Sequence, residues 1–130
     1  THDSVDPHNG KCVRATAGSL FHIPIATGAD AARISSLARG AGLLLAATAA
    51  DGEIDLYDLV SKPHRPAIGW ILGSEAHGVS EGMRAVADCS VSIPMFGAAE
   101  SLNVGSAAAI CLYSDAASRH GLAGPPISLA

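Results

Sequence analysis

The sequence predicts an α/β domain with a mainly parallel sheet and flanking helices. Three observations point there. Apolar runs of strand length alternate with helix-like segments along the chain. The runs at 43–47 and 67–72 are continuous rather than alternating, as in strands buried on both faces. Glycines and prolines punctuate the changes of element. With 130 residues the chain has room for one domain with a hydrophobic core and too few for two.

The elements follow in order. Asp6-Pro7 opens a turn, and a short helix within residues 6–18 carries Lys11 and Arg14. Residues 20–25 are apolar and predict a short strand closed by Ala26-Thr27-Gly28. Asp30 is placed to cap a helix over residues 31–39, which ends at Gly40 and Gly42. A strand at 43–47 follows. Residues 53–61 form a helix or a loop, stopped by Pro63 and Pro66. The next buried strand is 67–72. Ser80 is placed to cap a short helix at 81–87, and 91–94 is the fourth strand. A final helix spans 103–120, with Val104, Ala107, Ala108, Cys111 and Leu112 on one face at helical spacing. In parallel sheets, ligands sit beyond the carboxyl ends of the strands. The loops at 48–52, 73–80 and 94–103 fall there.

Composition narrows the function. Hydrophobic residues at 48% and charged residues at 15% mark a globular chain, not a disordered one. A formal net charge of −4 argues against holding nucleic acid by the overall field, and 4% aromatics leave few side chains to stack on bases. If RNA is a substrate, the grip must come from a local patch, a partner subunit or a further segment. Three cysteines, Cys12, Cys89 and Cys111, form no CxxC pair, so a disulfide framework or a zinc site is not expected, and a reducing cytoplasm is. Apolar runs are too short for a membrane span, and no signal peptide is visible. The chain does not begin with Met, which fits a trimmed fragment.

Two segments carry chemistry. In "GWILGSEAHGVS", residues 69–80, a buried strand runs into a glycine, a carboxylate and a second glycine. Gly73 and Gly78 have the spacing of a phosphate loop, but Val79 stands where that loop needs its lysine, and the dinucleotide pattern GxGxxG does not match. A plain strand-to-helix turn accounts for the spacing equally well. In "SIPMFGAAESLNVGSAAAICLY", residues 92–113, Pro94 ends a strand and a loop of small residues leads into a helix that Ser101 or Asn103 can cap. Gly97, Ala98 and Ala99 let backbone approach a ligand closely, and Leu102 with free amides suits a flat heterocycle such as adenine. The six histidines show no HxH or HExxH spacing, so His22 and His77 are expected in structural or loop roles rather than as metal ligands. Arg33, Arg39, Arg65, Arg84 and Arg119 are scattered and read mostly as solvated surface.

Together with "DPHNGKCVRATAGSLFHIPI", residues 6–25, these segments resemble the SpoU (TrmH-type) RNA 2′-O-ribose methyltransferases of the SPOUT superfamily. The first segment looks like the stretch ahead of the family's third strand, residues 69–80 like its second signature motif, and residues 91–113 like its third. The likeness runs over about residues 4–113. It implies an α/β fold whose C-terminal part is threaded as a deep trefoil knot, a rare exception to unknotted topology. It also implies S-adenosyl-L-methionine as cofactor, tRNA or rRNA as substrate, no metal, and a homodimer with the site near the subunit interface. Gly73, Ile93 and Leu102 match positions that contact the cofactor mainly through backbone. Thr48 and Met95 are implied as wall residues, and Gly78 belongs to the same cofactor site. Glu75, Ser101 and Asn103 match polar positions around the reaction centre, with Glu75 also on the cofactor side. Residues Ser74-Glu75-Ala76 depart from the Asn-Glu-Gly of many members.

The family's first motif, N-x-G-x-x-x-R, carries an arginine implied to help deprotonate the ribose hydroxyl. Asn9-Gly10 with Arg14 imitates it, but Arg14 lies one position too close and Gly10 directly follows Asn9. Only four predicted strands follow Arg14, fewer than should follow that motif. Arg14 is therefore expected to be structural or a substrate-side cation. The N-terminal strands and the first motif are expected to be missing, leaving a partial domain that binds cofactor with little activity alone. Two other readings stay open: a non-catalytic cofactor-binding or dimerisation module, and a different α/β nucleotide enzyme, which the missing lysine and glycines disfavour.

Overall fold

The computed structural model describes residues 4, 6–74, 76–97 and 101–122. Four parallel strands form one sheet, β1 (Leu44–Thr48), β2 (Ile54–Asp55), β3 (Ile68–Ile71) and β4 (Cys89–Ser92), in the order β2-β4-β1-β3. Among the described residues five α-helices accompany it: α1 (Gly10–Ala15), α2 (Ala31–Gly40), α3 (Leu56–Ser61), α4 (Glu81–Arg84) and α5 (Val104–Arg119). The expected mainly parallel sheet with flanking helices is what the chain forms.

Strand β1 shows why the layers form. Successive side chains of a strand point to opposite faces. Leu45 and Ala47 join Ala38, Ile71, Val79 and Met83 in a core under α2 and α4. Ala46 joins Leu56, Leu59, Val60, Val91 and Cys111, with Leu44 and Trp70 beside them, under α3 and α5. One apolar run thus serves two cores, which is why it is continuous. Burial pushes the Cys111 thiol up to about 11, so it stays protonated and inert at neutral pH.

Local chemistry sets the helix starts. Asp30 accepts a hydrogen bond from the Arg33 amide at 2.7 Å and Asp55 one from the Tyr57 amide at 2.7 Å, each satisfying an orphan donor of a first turn. Asn9 caps α1 in the same way through the Lys11 amide. Residues 53–61, ambiguous in sequence, become β2 and then α3 because Asp55 caps the helix.

The structure corrects several expectations. Residues 20–25 are not a strand. A 3-10 turn occupies Ser19–Phe21, with the His22 amide bonded to the Ser19 carbonyl at 2.9 Å. Phe21 and Ile23 are exposed, and Pro24 has no N–H to give a ladder. Strand β4 begins at Cys89, not Val91, because the Asp88 carboxylate accepts from the Leu45 amide at 2.8 Å and starts the pairing with β1 there. Helix α4 ends early, at Arg84, and Ser80 contributes its carbonyl but no side-chain cap. On α5, Leu112 is 57% exposed, so the buried stripe continues from Cys111 through Ser114, Asp115 and Ser118 instead.

That polar continuation has a cause. The Arg65 side chain is 7% exposed, not solvated surface, and forms an ion pair with Asp115, itself 17% exposed. Arg65 Nε also donates to the Val60 carbonyl at 3.1 Å, and Arg119 bridges Asp115 and the Pro66 carbonyl. The cluster pins the loop before β3 to α5.

Candidate active site

The three loops at the carboxyl ends of the strands converge. Thr48 to Asp51 after β1, Leu72 to Ser74 with His77 and Gly78 after β3, and Ile93, Met95, Ser101 and Leu102 after β4 line one cleft of about 500 Å³. Val91, Val104, Ala107 and Arg84 complete the lining. This is where parallel topology puts ligands.

The second loop is built around two glycines. The Ser74 amide donates to the Gly78 carbonyl at 3.2 Å and the Gly78 amide to the Ser74 carbonyl at 2.8 Å, closing a small ring. Ser74 Oγ accepts from the His77 amide at 3.2 Å inside it. Gly78 takes φ +63, a left-handed conformation that glycine adopts without strain. A Cβ on Gly73 would strike the Gly78 carbonyl group and the Val79 nitrogen. Glycine at 73 is thus required by close packing of backbone on backbone, not by its own φ.

The other walls are equally fixed. Thr48 Oγ1 donates to the Ile71 carbonyl at 3.3 Å, so the hydroxyl ties β1 to β3 at the cleft. Asn103 Oδ1 accepts from the amides of Gly105 at 2.9 Å and Ser106 at 3.4 Å, which caps α5 and sets the angle at which Leu102 and Val104 enter the cleft.

Of the residues expected at the site, Thr48, Gly73, Gly78, Ile93, Met95, Ser101 and Leu102 are brought together in this lining. Asn103 is not in the lining; it sits between two residues that are. Glu75 and residues 98–100 lie outside the described residues. Arg14 lies exposed on α1 and is not among the residues lining the cleft. Asp51 and Arg84 line the cleft without having been expected there. No spacing motif marks them, because a residue's approach to a cleft from a neighbouring loop or helix end depends on tertiary packing. Among the described residues no group of three or more His, Cys, Asp or Glu is placed to hold a metal ion, and no helix is long and apolar enough to cross a membrane.

A family model described as the SpoU rRNA Methylase family matches residues 1–113. The chain belongs to the SpoU family. It is 32% identical over 110 residues to the 23S rRNA (guanosine(2553)-2′-O)-methyltransferase RlmP of Bacillus subtilis (strain 168), a match covering 85% of this chain and 43% of that protein. It is 37% identical over 100 residues to the 23S rRNA (guanosine-2′-O-)-methyltransferase RlmB of Nitrosomonas europaea, covering 77% and 37%. The crystal structure of the SpoU methyltransferase AviRb from Streptomyces viridochromogenes, in complex with the cofactor AdoMet, superposes with a TM-score of 0.75 at 32% identity, covering 93% of this SpoU chain and 48% of that one. The SpoU chain therefore spans less than half the length of each of these relatives.

Proposed function

We propose that the cleft binds S-adenosylmethionine and that the chain is the cofactor-binding part of a SpoU-type RNA 2′-O-ribose methyltransferase acting on rRNA or tRNA. The observation that carries this is the convergence of the loops after β1, β3 and β4 on one cleft. Its volume suits a ligand of nucleoside size. Leu72, Ile93 and Leu102 offer an apolar slot for adenine, and the closely packed backbone at Gly73 and Gly78 leaves peptide edges free of side-chain bulk. Asp51 and Arg84 supply one charge of each sign for a zwitterionic tail. The AdoMet complex of AviRb supports the assignment.

When bound, the cofactor supplies an electrophilic methyl group on its sulfonium. The chain's residues align the acceptor. Ser101 in the lining and Asn103 at the helix start orient the ribose, and Glu75 positions a partner by hydrogen bond. The Asn103 carbonyl oxygen is engaged in the cap, which fixes where its side chain stands at the start of α5. Arg14 stays on the substrate side. The 2′-hydroxyl is a weak acid, and its proton needs help to leave. No N-x-G-x-x-x-R occurs in this sequence to provide the arginine. The chain by itself thus forms a partial catalytic domain that binds cofactor and transfers methyl groups slowly.

The reading includes a C-terminal trefoil knot, supported by membership of the SpoU family over residues 1–113. It includes a cytoplasmic homodimer. Support for a partner is the outward face of α5, where Ala109, Leu112, Tyr113 and Ala116 stand exposed at helical spacing. A second reading, a non-catalytic cofactor-binding or dimerisation module, is favoured by the missing arginine motif.

Transfer of a radiolabelled methyl group to rRNA and tRNA tests both. The expected result is labelling of RNA by a longer protein that carries the first motif and at least about 100-fold less labelling by this chain, the scale expected for loss of one assisting group. Robust transfer by the chain alone contradicts the partial-domain reading. No transfer by either, with cofactor bound, establishes the module.

A further inference from the structure

We propose that Arg84 recognises the carboxylate of the cofactor's amino-acid tail, an inference that rests on the reading of the cleft as the S-adenosylmethionine site. Arg84 is the last residue of α4, and its neighbour Met83 is buried in the core, so the helix end that carries the guanidinium is anchored. Nη2 of Arg84 lies 3.5 Å from where a Cβ on Gly78 would stand, which puts the guanidinium over the ring formed by Ser74 and Gly78. It is the one Lys or Arg among the described residues that lines the cleft.

The guanidinium is also unspent. Among the described residues it makes no hydrogen bond or ion pair, although it borders an adjoining cleft lined by Asp51, Glu53 and Asp88. Asp88 directs its carboxylate to the Leu45 amide instead. Arg65 and Arg119, by contrast, are both committed to Asp115. A planar fork of donors in the cleft lining, with no acceptor engaged among the described residues, suits an external carboxylate. S-adenosylmethionine has one, at the end of the molecule remote from adenine. With the adenine in the slot of Leu72, Ile93 and Leu102, the tail has an edge at which to meet this charge.

Calorimetry of the chain with S-adenosylmethionine and with its decarboxylated analogue isolates the contact. The unaltered chain is expected to prefer S-adenosylmethionine about tenfold, the size of a charge-assisted hydrogen bond at an accessible site. Arg84→Ala is expected to weaken binding of S-adenosylmethionine about tenfold, leave the analogue unchanged, and so erase the preference. Arg84→Lys, which keeps the charge and loses the fork, is expected to fall between. Circular dichroism and Tm identical to the parent show that the fold is kept, as expected for an exposed side chain. Undiminished affinity of Arg84→Ala for S-adenosylmethionine, or equal loss for both ligands, overturns the proposal while leaving the cofactor site standing. Failure of the unaltered chain to bind S-adenosylmethionine overturns the site itself and this inference with it.

Discussion

Gly73→Ala is expected to abolish cofactor binding and to lower stability by about 3 kcal/mol, the upper end of what overpacking a fixed site costs. The added methyl has nowhere to go. It would strike the backbone of Gly78 and Val79, and backbone cannot rotate out of the way as a flexible side chain does. The hydrogen-bonded ring from Ser74 to Gly78 would have to open or shift, and Val79, buried at the edge of the core with Ile71 and Met83, would move with it. Thermal denaturation and calorimetry with S-adenosylmethionine check both halves. A fall in Tm on the order of 10 °C together with lost binding is the expected pair. Retained affinity with an unchanged Tm contradicts the packing described for this loop.

Asp115→Ala is expected to cost about 3 kcal/mol, because it leaves the buried Arg65 guanidinium without its counter-charge. The sign reverses if both partners go. Replacing Arg65 by Met and Asp115 by Leu together removes two desolvated charges and fills the space with apolar groups, and such exchanges are commonly neutral or stabilising. The double variant is thus expected to recover most of the loss. Urea unfolding of the parent, the two single variants and the double variant forms the cycle. A double variant as unstable as the sum of the singles contradicts the account, since it would mean the residues act independently.

These two sites also show where sequence reasoning reaches and where it stops. Gly73 was legible because a glycine directly after a continuous apolar strand marks a tight exit, and the location of ligand loops follows from parallel topology. The strand expected at 43–47, formed by Leu44–Thr48, and the cap at Asp30 were legible because each depends on residues close together in sequence, and of the two caps offered for α5 the structure uses Asn103. Arg65 was not, because its partner Asp115 lies on another element and only the folded chain brings them together. Leu112 misled for the same reason: the charged cluster at Asp115 takes the buried stripe of α5 and turns Leu112 outward. Residues 20–25 have strand-like composition, but composition does not supply a neighbouring strand, and Pro24 removes a donor. Strand β4 was read two residues late because the Asp88 carboxylate, a polar group, starts its pairing with β1.

The central claim is that S-adenosylmethionine occupies the cleft where the loops after β1, β3 and β4 meet. Amide NMR of the isotopically labelled chain, titrated with S-adenosylmethionine, tests it most directly. Saturable shifts concentrated at residues 48–52, 72–78, 84 and 93–104, with α1 and the outer face of α5 unmoved, are the predicted result. A folded chain whose amides do not respond, or whose shifts cluster away from those loops, would contradict it.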